Sequence, residues 1–499
     1  MKKVKKILEE LWQRGVELTN LNNTMALLQW DQEVIMPPAA TKDRAGQLAT
    51  LSSVIHKQIT APTLNRLLQE AAAQTDHLAD KDKALVRILA REHARNTKLP
   101  EQFVADFARL VAESLPAWIA ARKQADFHLF LPFLEKIVSM SRQKSEHLGY
   151  EEHPYDALLD LYEEGLTCRS LTGIFGGLQP ELTRLVKEKR VVPTAPEPAF
   201  PFPPIAEEDQ KAFAEIILTE IGYDFKRGRQ DVSSHPFTTS IGHNDRRVTN
   251  RYKPDSLEFI FGALHEGGHA LYEQGIAPEY ANSPLDEGVS LGIHESQSRL
   301  WENIIGRSRL FWDHYFPMLQ QCIPDPFRDI GIDQFVSHIN RIKPGLIRVE
   351  ADEISYNLHI VVRFELEKEL LAGHISVQEL PALWNERYQD YLGLKVDSDA
   401  NGVLQDIHWA HGSLGYFPTY TIGNLAAAQI WQRYCHADPH YRQTLQQGHI
   451  AKILQWLTEN IYCHGALYCP AELLQKVCGE PLSSSYFVAY LKNKPEFSP

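Results

Sequence analysis

Cysteine is scarce in this 499-residue chain: Cys168, Cys322, Cys435, Cys463, Cys469 and Cys478 are the only six, and none forms a CxxC pair. That argues against a disulfide-stapled secreted fold, and reduced thiols in the cytoplasm are expected. No run of 18 apolar residues occurs, so no membrane-spanning helix is expected. The opening MKKVKKILEELWQRG is basic but lacks the apolar stretch of a signal peptide, and Glu9 and Glu10 come too early for a transit peptide. Positive charge is in deficit as well. With 51 Lys and Arg against 64 Asp and Glu the formal net charge is -13, which argues against a nucleic-acid partner but leaves room for a local basic pocket. Runs of β-branched residues are few, and there is no internal repeat or low-complexity tract.

What remains is helical periodicity over most of the length. It is plain in VKKILEELWQRGVELTNLNNTMALLQWDQEV, DKALVRILAREHARN and LPFLEKIVSMSRQKSEHLG. Six prolines between Val191 and Asp209 interrupt it. Such a stretch is extended, as a linker or, the preferred reading, an ordered surface loop, because QKAFAEIILTEIG resumes the helical pattern at once. The one strand signal spans Asp231 to Tyr252, where FTTSI and RRVTNRY flank the turn GHND. It predicts a small antiparallel hairpin. The expected architecture is mainly α-helical, a single domain over residues 1–499.

Directly after the hairpin comes ALHEGGHALYEQG, residues 263–275. Asp255 followed by Glu258 suggests a capping box at the start of this helix, and Gly275 suits its end. His265 and His269 stand four apart on one face, so both imidazoles reach one metal ion. Glu266 sits beside them, placed to act on a water without binding the metal. The residue types fit zinc hydrolysis: the ion lowers the pKa of water and polarises a carbonyl, and a carboxylate accepts the proton and passes it to the leaving amine. Cobalt suits the same donors. Gly267 and Gly268 are costly inside a helix, at roughly 1 kcal/mol each relative to alanine. They point to close approach by a neighbouring backbone, a substrate or a second helix. For a third ligand the next candidate is Glu295 in GVSLGIHESQSRLWENI, with His294 as rival and Glu287 and Glu302 as weaker ones.

Taken together, the motifs resemble the carboxypeptidase Taq family of metallocarboxypeptidases. They stand here as His235-Pro236-Phe237, DRRVT from Asp245 to Thr249, HEGGH at 265–269, HESQ at 294–297, IRVEAD from Ile347 to Asp352 and GVLQDIHW from Gly402 to Trp409. The amino-terminal LLQWDQEVIMPPAA is similar to the family's opening helices. The resemblance implies a large helical, neurolysin-like gluzincin fold with two lobes around a deep groove. It implies His265, His269 and Glu295 as zinc ligands, one zinc per subunit, and Glu266 as general base. It also implies a homodimer that removes single carboxy-terminal residues from peptides with broad preference.

Recognition of a free carboxylate calls for arginine, whose fork makes two parallel hydrogen bonds. Arg348 is the leading candidate, on a predicted helix whose stripe holds Asp352, Tyr356, His359 and Arg363, with Asp352 as its orienting partner. Arg247, on a predicted strand, is the second. His408 and Tyr420 are expected to face substrate or a developing oxyanion, with a buried, structural role equally open to His408. Gln405 and Asp406 are expected to hold that loop, with Gln405 counted among the substrate-binding set. Asp286 or Glu287, between which the sequence does not choose, is expected to fix the ligand imidazoles, and His235 to shape a loop.

Overall fold

The structure, a computed structural model, describes residues 2–189 and 204–497. It is mainly α-helical with one small sheet, as expected. Each periodic segment is a helix: α1 (Lys2–Val34), α2 (Asp80–Lys98), α3 (Leu131–Leu148) and α4 (Glu207–Glu220). Most of the proline-rich stretch lies outside the described residues. The described residues fall in two compact units, one drawn from Met1–Thr97, Pro198–Phe335 and Ile430–Glu480, the other from Lys98–Glu197, Val336–Gln429 and Pro481–Pro499. No helix among the described residues is long and apolar enough to cross a membrane.

The sheet belongs to the first unit and holds β1 (Gln230–Val232), β2 (Thr238–Gly242) and β3 (Asp245–Asn250) in the order β1-β3-β2. The predicted hairpin is β2 and β3, antiparallel with Thr238 opposite Val248 and an irregularity between Ser240 and Gly242. The sequence reading missed that β1 pairs parallel with β3, Gln230 beside Val248. Three residues carry too little pattern to announce a non-local pairing.

Helix α5 (Glu258–Gln274) follows the sheet and is buried nearly all round, with Phe259, Ile260, Leu264 and Leu271 in the core. Its start differs from expectation. The residue before it is Leu257, which makes no side-chain cap, and the Glu258 N–H donates to Ser256 Oγ at 3.1 Å, so Asp255 does not cap it. Gly275 ends the helix as predicted, in a right-handed conformation. The two interior glycines have a packing cause. A Cβ on Gly267 would stand 2.8 Å from Ile221 Cδ1 and from Leu218 Cδ2, at the end of α4. A Cβ on Gly268 would stand 2.6 Å from the Gln297 carbonyl oxygen and 2.8 Å from Ser298 Cα, in α6 (Leu291–Arg299). Of the three approaches the sequence left open, neighbouring helices are the ones that use the space. Helix α6 is thereby pressed backbone to backbone against the face that carries His265 and His269.

In the second unit, α7 (Ser355–Ala372) and α8 (Leu380–Leu392) pack together; Tyr420 also belongs to that unit, in the first turn of α9 (Pro418–Ala437). The predicted helix through Arg348 begins later than its pattern suggested. Arg348–Glu350 is a short 3-10 turn, and Asp352 Oδ1 accepts from the Ile354 and Ser355 N–H groups at 3.0 and 2.9 Å. Asp352 caps a helix; it does not orient Arg348.

Candidate metal centre and active site

His265 and His269, one turn apart on α5, meet Glu295 of α6. His265 Nε2 lies 3.6 Å and His269 Nε2 3.4 Å from Glu295 Oε2, and the three donor atoms fall within 4.8 Å of one another. Tetrahedral zinc with ligands near 2.1 Å holds its donors about 3.4 Å apart, so the spacing fits. Side-chain exposures of 21%, 16% and 10% leave the donors within reach of water. Two imidazole nitrogens and one carboxylate oxygen leave a fourth position open, the pattern of a catalytic rather than a structural zinc site.

Hydrogen bonds aim each ligand. His265 Nδ1 donates to Glu302 Oε2 at 2.8 Å, which leaves Nε2 to face Glu295. Glu302 sits in a π-helical turn, Leu300–Ile305, that continues α6. His294 Nε2 donates to Glu273 Oε1 at 2.8 Å, so in the neutral ring its Nδ1 must accept from His269 Nδ1. His269 Nε2 is again the free nitrogen. Glu295 Oε1 accepts from Arg299 Nε at 2.7 Å. Backing carboxylates of this kind raise imidazole basicity and fix the ring tautomer.

The surrounding charges favour a cation. Burial works to raise the pKa values of Glu273, Glu295 and Glu302, yet all three are lowered. His294 and Arg246 hold Glu273 at about 2; His265, Arg299 and Arg307 hold Glu302 at about 2; Arg299, His265 and His269 hold Glu295 well below the usual range. Burial lowers His265, but Glu295 and Glu302 outweigh it and bring the imidazole up to about 9. Carboxylates that draw a proton onto a ligand histidine offer the same attraction to a metal ion, which displaces that proton. The donor set and its surroundings therefore fit a divalent metal.

Glu266 behaves differently. Burial pushes its carboxyl up, against the opposing pull of His265 and the Thr238 hydroxyl, which donates to Oε2 at 2.7 Å. A buried carboxylate with a raised pKa is a stronger base than one in water. Strand β2 supplies that hydroxyl through its alternation: Thr238 faces Glu266, and Ser240, two residues on, donates to Glu273 Oε2 at 3.1 Å.

The same alternation decides between the arginines of DRRVT. Arg246 is the buried one, within 3.3 Å of Glu273 and donating to Asp286 Oδ1 at 2.7 Å. Arg247, the sequence candidate, points to the other face, where Asp245 holds it through two bonds of 2.8 Å and its Cζ lies 4.2 Å from the centre of the Trp30 ring. The expected partners of the imidazoles need correction. Asp286 binds His243 and Arg246 rather than a ligand histidine, and Glu287 is exposed. Glu302 and the His294–Glu273 pair do that work. His294, the rival ligand, and Glu302, a weaker one, stand behind the ligands. Glu273 had a signal, four residues after His269 on the same helix face; Arg246 had none beyond strand parity. His235 lies in the loop between β1 and β2, where its carbonyl accepts from Ser233 Oγ.

In the second unit Arg348 is held by Asp406, not Asp352. Its Nε and Nη2 donate to Asp406 Oδ1 at 3.0 and 2.8 Å, and its Nη1 to the Tyr356 hydroxyl at 3.1 Å. Gln405 spends its amide on the protein: Oε1 accepts from the Arg348 N–H, and Nε2 donates to Leu346 O, Asn401 O and the Tyr388 hydroxyl. It supports the loop, as Asp406 does. His408 Nε2 lies 3.2 Å from the Tyr420 hydroxyl, and burial pulls its imidazole down to about 4, so it is neutral near pH 7.

Comparison with known proteins agrees with this geometry. The family model described as carboxypeptidase Taq (M32) metallopeptidase matches residues 10–495. Carboxypeptidase 1 of Bacillus subtilis is 40% identical over 478 residues, 96% of this chain and 95% of that protein. Thermostable carboxypeptidase 1 of Thermus thermophilus is 38% identical over 492 residues, 96% of each. The crystal structure of an M32 carboxypeptidase from Deinococcus radiodurans superposes with a TM-score of 0.94 at 36% identity, over 98% of each chain. The chain belongs to the carboxypeptidase Taq (M32) family and is a metallocarboxypeptidase, a hydrolase.

Proposed function

We propose that this chain is a zinc-dependent exopeptidase that hydrolyses the last peptide bond of peptides and releases single carboxy-terminal residues with broad preference. The observation that carries this reading is the convergence of His265, His269 and Glu295 beside the basic carboxylate of Glu266. A divalent ion held by those three residues supplies Lewis acidity for water and for the scissile carbonyl, and zinc, with cobalt as a substitute, suits the donors. Glu266 takes the proton from the attacking water. It delivers that proton to the amide nitrogen as the C–N bond breaks, so the products are a shortened peptide and a free amino acid. Thr238 holds the Glu266 carboxylate in place for both transfers. Arg348 takes the substrate's terminal carboxylate, with Arg247 as the alternative. His408 and Tyr420 offer hydrogen bonds to the substrate or to the developing oxyanion.

The whole chain acts in this reading as one catalytic domain, a homodimer in the cytoplasm. Its six cysteines, none in a disulfide, suit a reducing compartment. A mass-spectrometric time course on one peptide, free at its carboxy terminus in one sample and amidated in the other, tests the exopeptidase assignment. A ladder of single losses from the free end, blocked by amidation, is expected. Internal cuts in both samples would make the enzyme an endopeptidase.

A further inference from the structure

Asp406 stands between two guanidinium groups. Its Oδ1 accepts from Arg348, and its Oδ2 accepts from Arg363 Nε at 2.7 Å, with Arg363 Nη2 at 2.6 Å. Two cations on one anion leave the cluster with one positive charge in excess. Arg363 is fully buried and Arg348 is 5% exposed. A buried cation beyond what the local carboxylate balances is costly, so its retention calls for a reason.

The neighbours offset it only in part. His359 lies against the Tyr388 hydroxyl at 2.8 Å, and burial keeps its imidazole well below its usual range, hence neutral. Glu367, four residues beyond Arg363 on α7, accepts from the Tyr155 hydroxyl, the Trp409 indole and the Gly415 N–H; burial pushes its carboxyl up to about 7 against the pull of Arg363, so it offsets that cation only in part. The other faces are aromatic: Arg363 Cζ lies 4.4 Å from the Trp384 ring centre and Arg348 Cζ 5.0 Å from that of Tyr420. Such faces tolerate a cation without neutralising it. Arg363 also donates through Nη1 to the His359 carbonyl at 2.6 Å, which locks its orientation. Arg348, by contrast, commits three of its five N–H groups, two to Asp406 and one to Tyr356.

We propose that Arg363 is a positioning residue that neutralises Asp406, so that Arg348, aimed by that same carboxylate, keeps its full charge for the terminal carboxylate of the substrate. The inference rests on the proposed role of Arg348. Without Arg363, Asp406 would still orient Arg348 but would cancel it, and the site would offer geometry with little attraction.

Charge counting supplies the test. Values of kcat and KM are measured on one peptide with a free carboxy terminus for the wild type, Arg348→Met, Arg363→Met, Arg363→Lys and the double variant Arg363→Met with Asp406→Asn. Arg363→Met, which brings the cluster to zero, is expected to raise KM at least about tenfold while changing kcat much less. Arg363→Lys should recover part of the loss. The double variant, again at one positive charge, should return KM to within about threefold of the wild type. Wild-type KM in Arg363→Met, or a double variant as poor as Arg363→Met, would overturn the proposal. Should Arg363→Met fail to fold, Arg363→Gln, which also brings the cluster to zero, takes its place with the same expected rise in KM, and a wild-type KM there would equally overturn the proposal. An unchanged KM in Arg348→Met would instead remove the role of Arg348 and this inference with it. A raised KM there beside an unaffected Arg363→Met would sink the Arg363 proposal only.

Discussion

Glu302 touches no expected substrate, yet its hydrogen bond with His265 decides which nitrogen of that ring faces the metal position. Glu302→Gln keeps the shape and loses the charge, and is expected to weaken metal affinity by about 10–100-fold, measured by competition with a chelating dye. Unchanged affinity would mean that helix packing alone aims His265. At this scale the sequence was informative where chemistry imposes spacing. His265, Glu266 and His269 follow from one turn of helix, and Glu295 from the motif on the next helix. It was uninformative where a partner lies far along the chain. Arg348 is paired with Asp406, 58 positions away, and nothing in the local pattern distinguishes that from the pair with Asp352 that a continuous helix would have made. The burial of Arg246 beside Arg247 was hidden for a related reason: strand parity says that the two face opposite ways, but not which face is the interior.

Helix α5 is held between α4 and α6 by glycines that are not equivalent. At Gly268 an added methyl meets the backbone of α6, which cannot yield without displacing Glu295, whereas at Gly267 it meets the ends of two side chains that can rotate. Gly268→Ala is therefore expected to cost about 1–3 kcal/mol and to loosen metal binding. Gly267→Ala should cost less, because helix propensity returns up to roughly 1 kcal/mol. Thermal unfolding of the two variants compares them, and equal losses would contradict this account of the packing. Helices were legible because their period repeats over many turns. The end of α5 was legible from Gly275, but its start was not, since Ser256 does the work assigned to Asp255. Strand β1 escaped notice because three residues carry no period of their own.

For the molecule as a whole, the buried carboxyl of Glu367 gives a pH signature. Its folded value of about 7 lies above the ordinary 4.5, chiefly through burial. The folded state therefore holds a proton that the unfolded chain releases, and that contribution to stability is full below pH 4.5 and lost as the pH rises towards 7. Urea midpoints of the wild type should fall between pH 5 and pH 8 relative to those of Glu367→Gln, whose amide does not titrate. A difference between the two that is independent of pH would refute the assignment. At this scale the helical class and the family were legible from patterning and motifs together, while the segments that make up each of the two units were not. Each unit collects segments from distant parts of the chain, and local patterning does not report such collection. The metal donors belong to the first unit, and Arg348, Arg363 and Asp406 to the second. The central claim is that three residues hold the metal while a fourth moves the proton. Metal content and turnover, measured together on Glu266→Gln and Glu295→Gln, test it most directly. Glu266→Gln should keep a single ion per chain and lose turnover by about 10²–10⁴-fold, whereas Glu295→Gln should lose the ion and the activity together. Near wild-type turnover in Glu266→Gln, or full metal content in Glu295→Gln, would contradict the account.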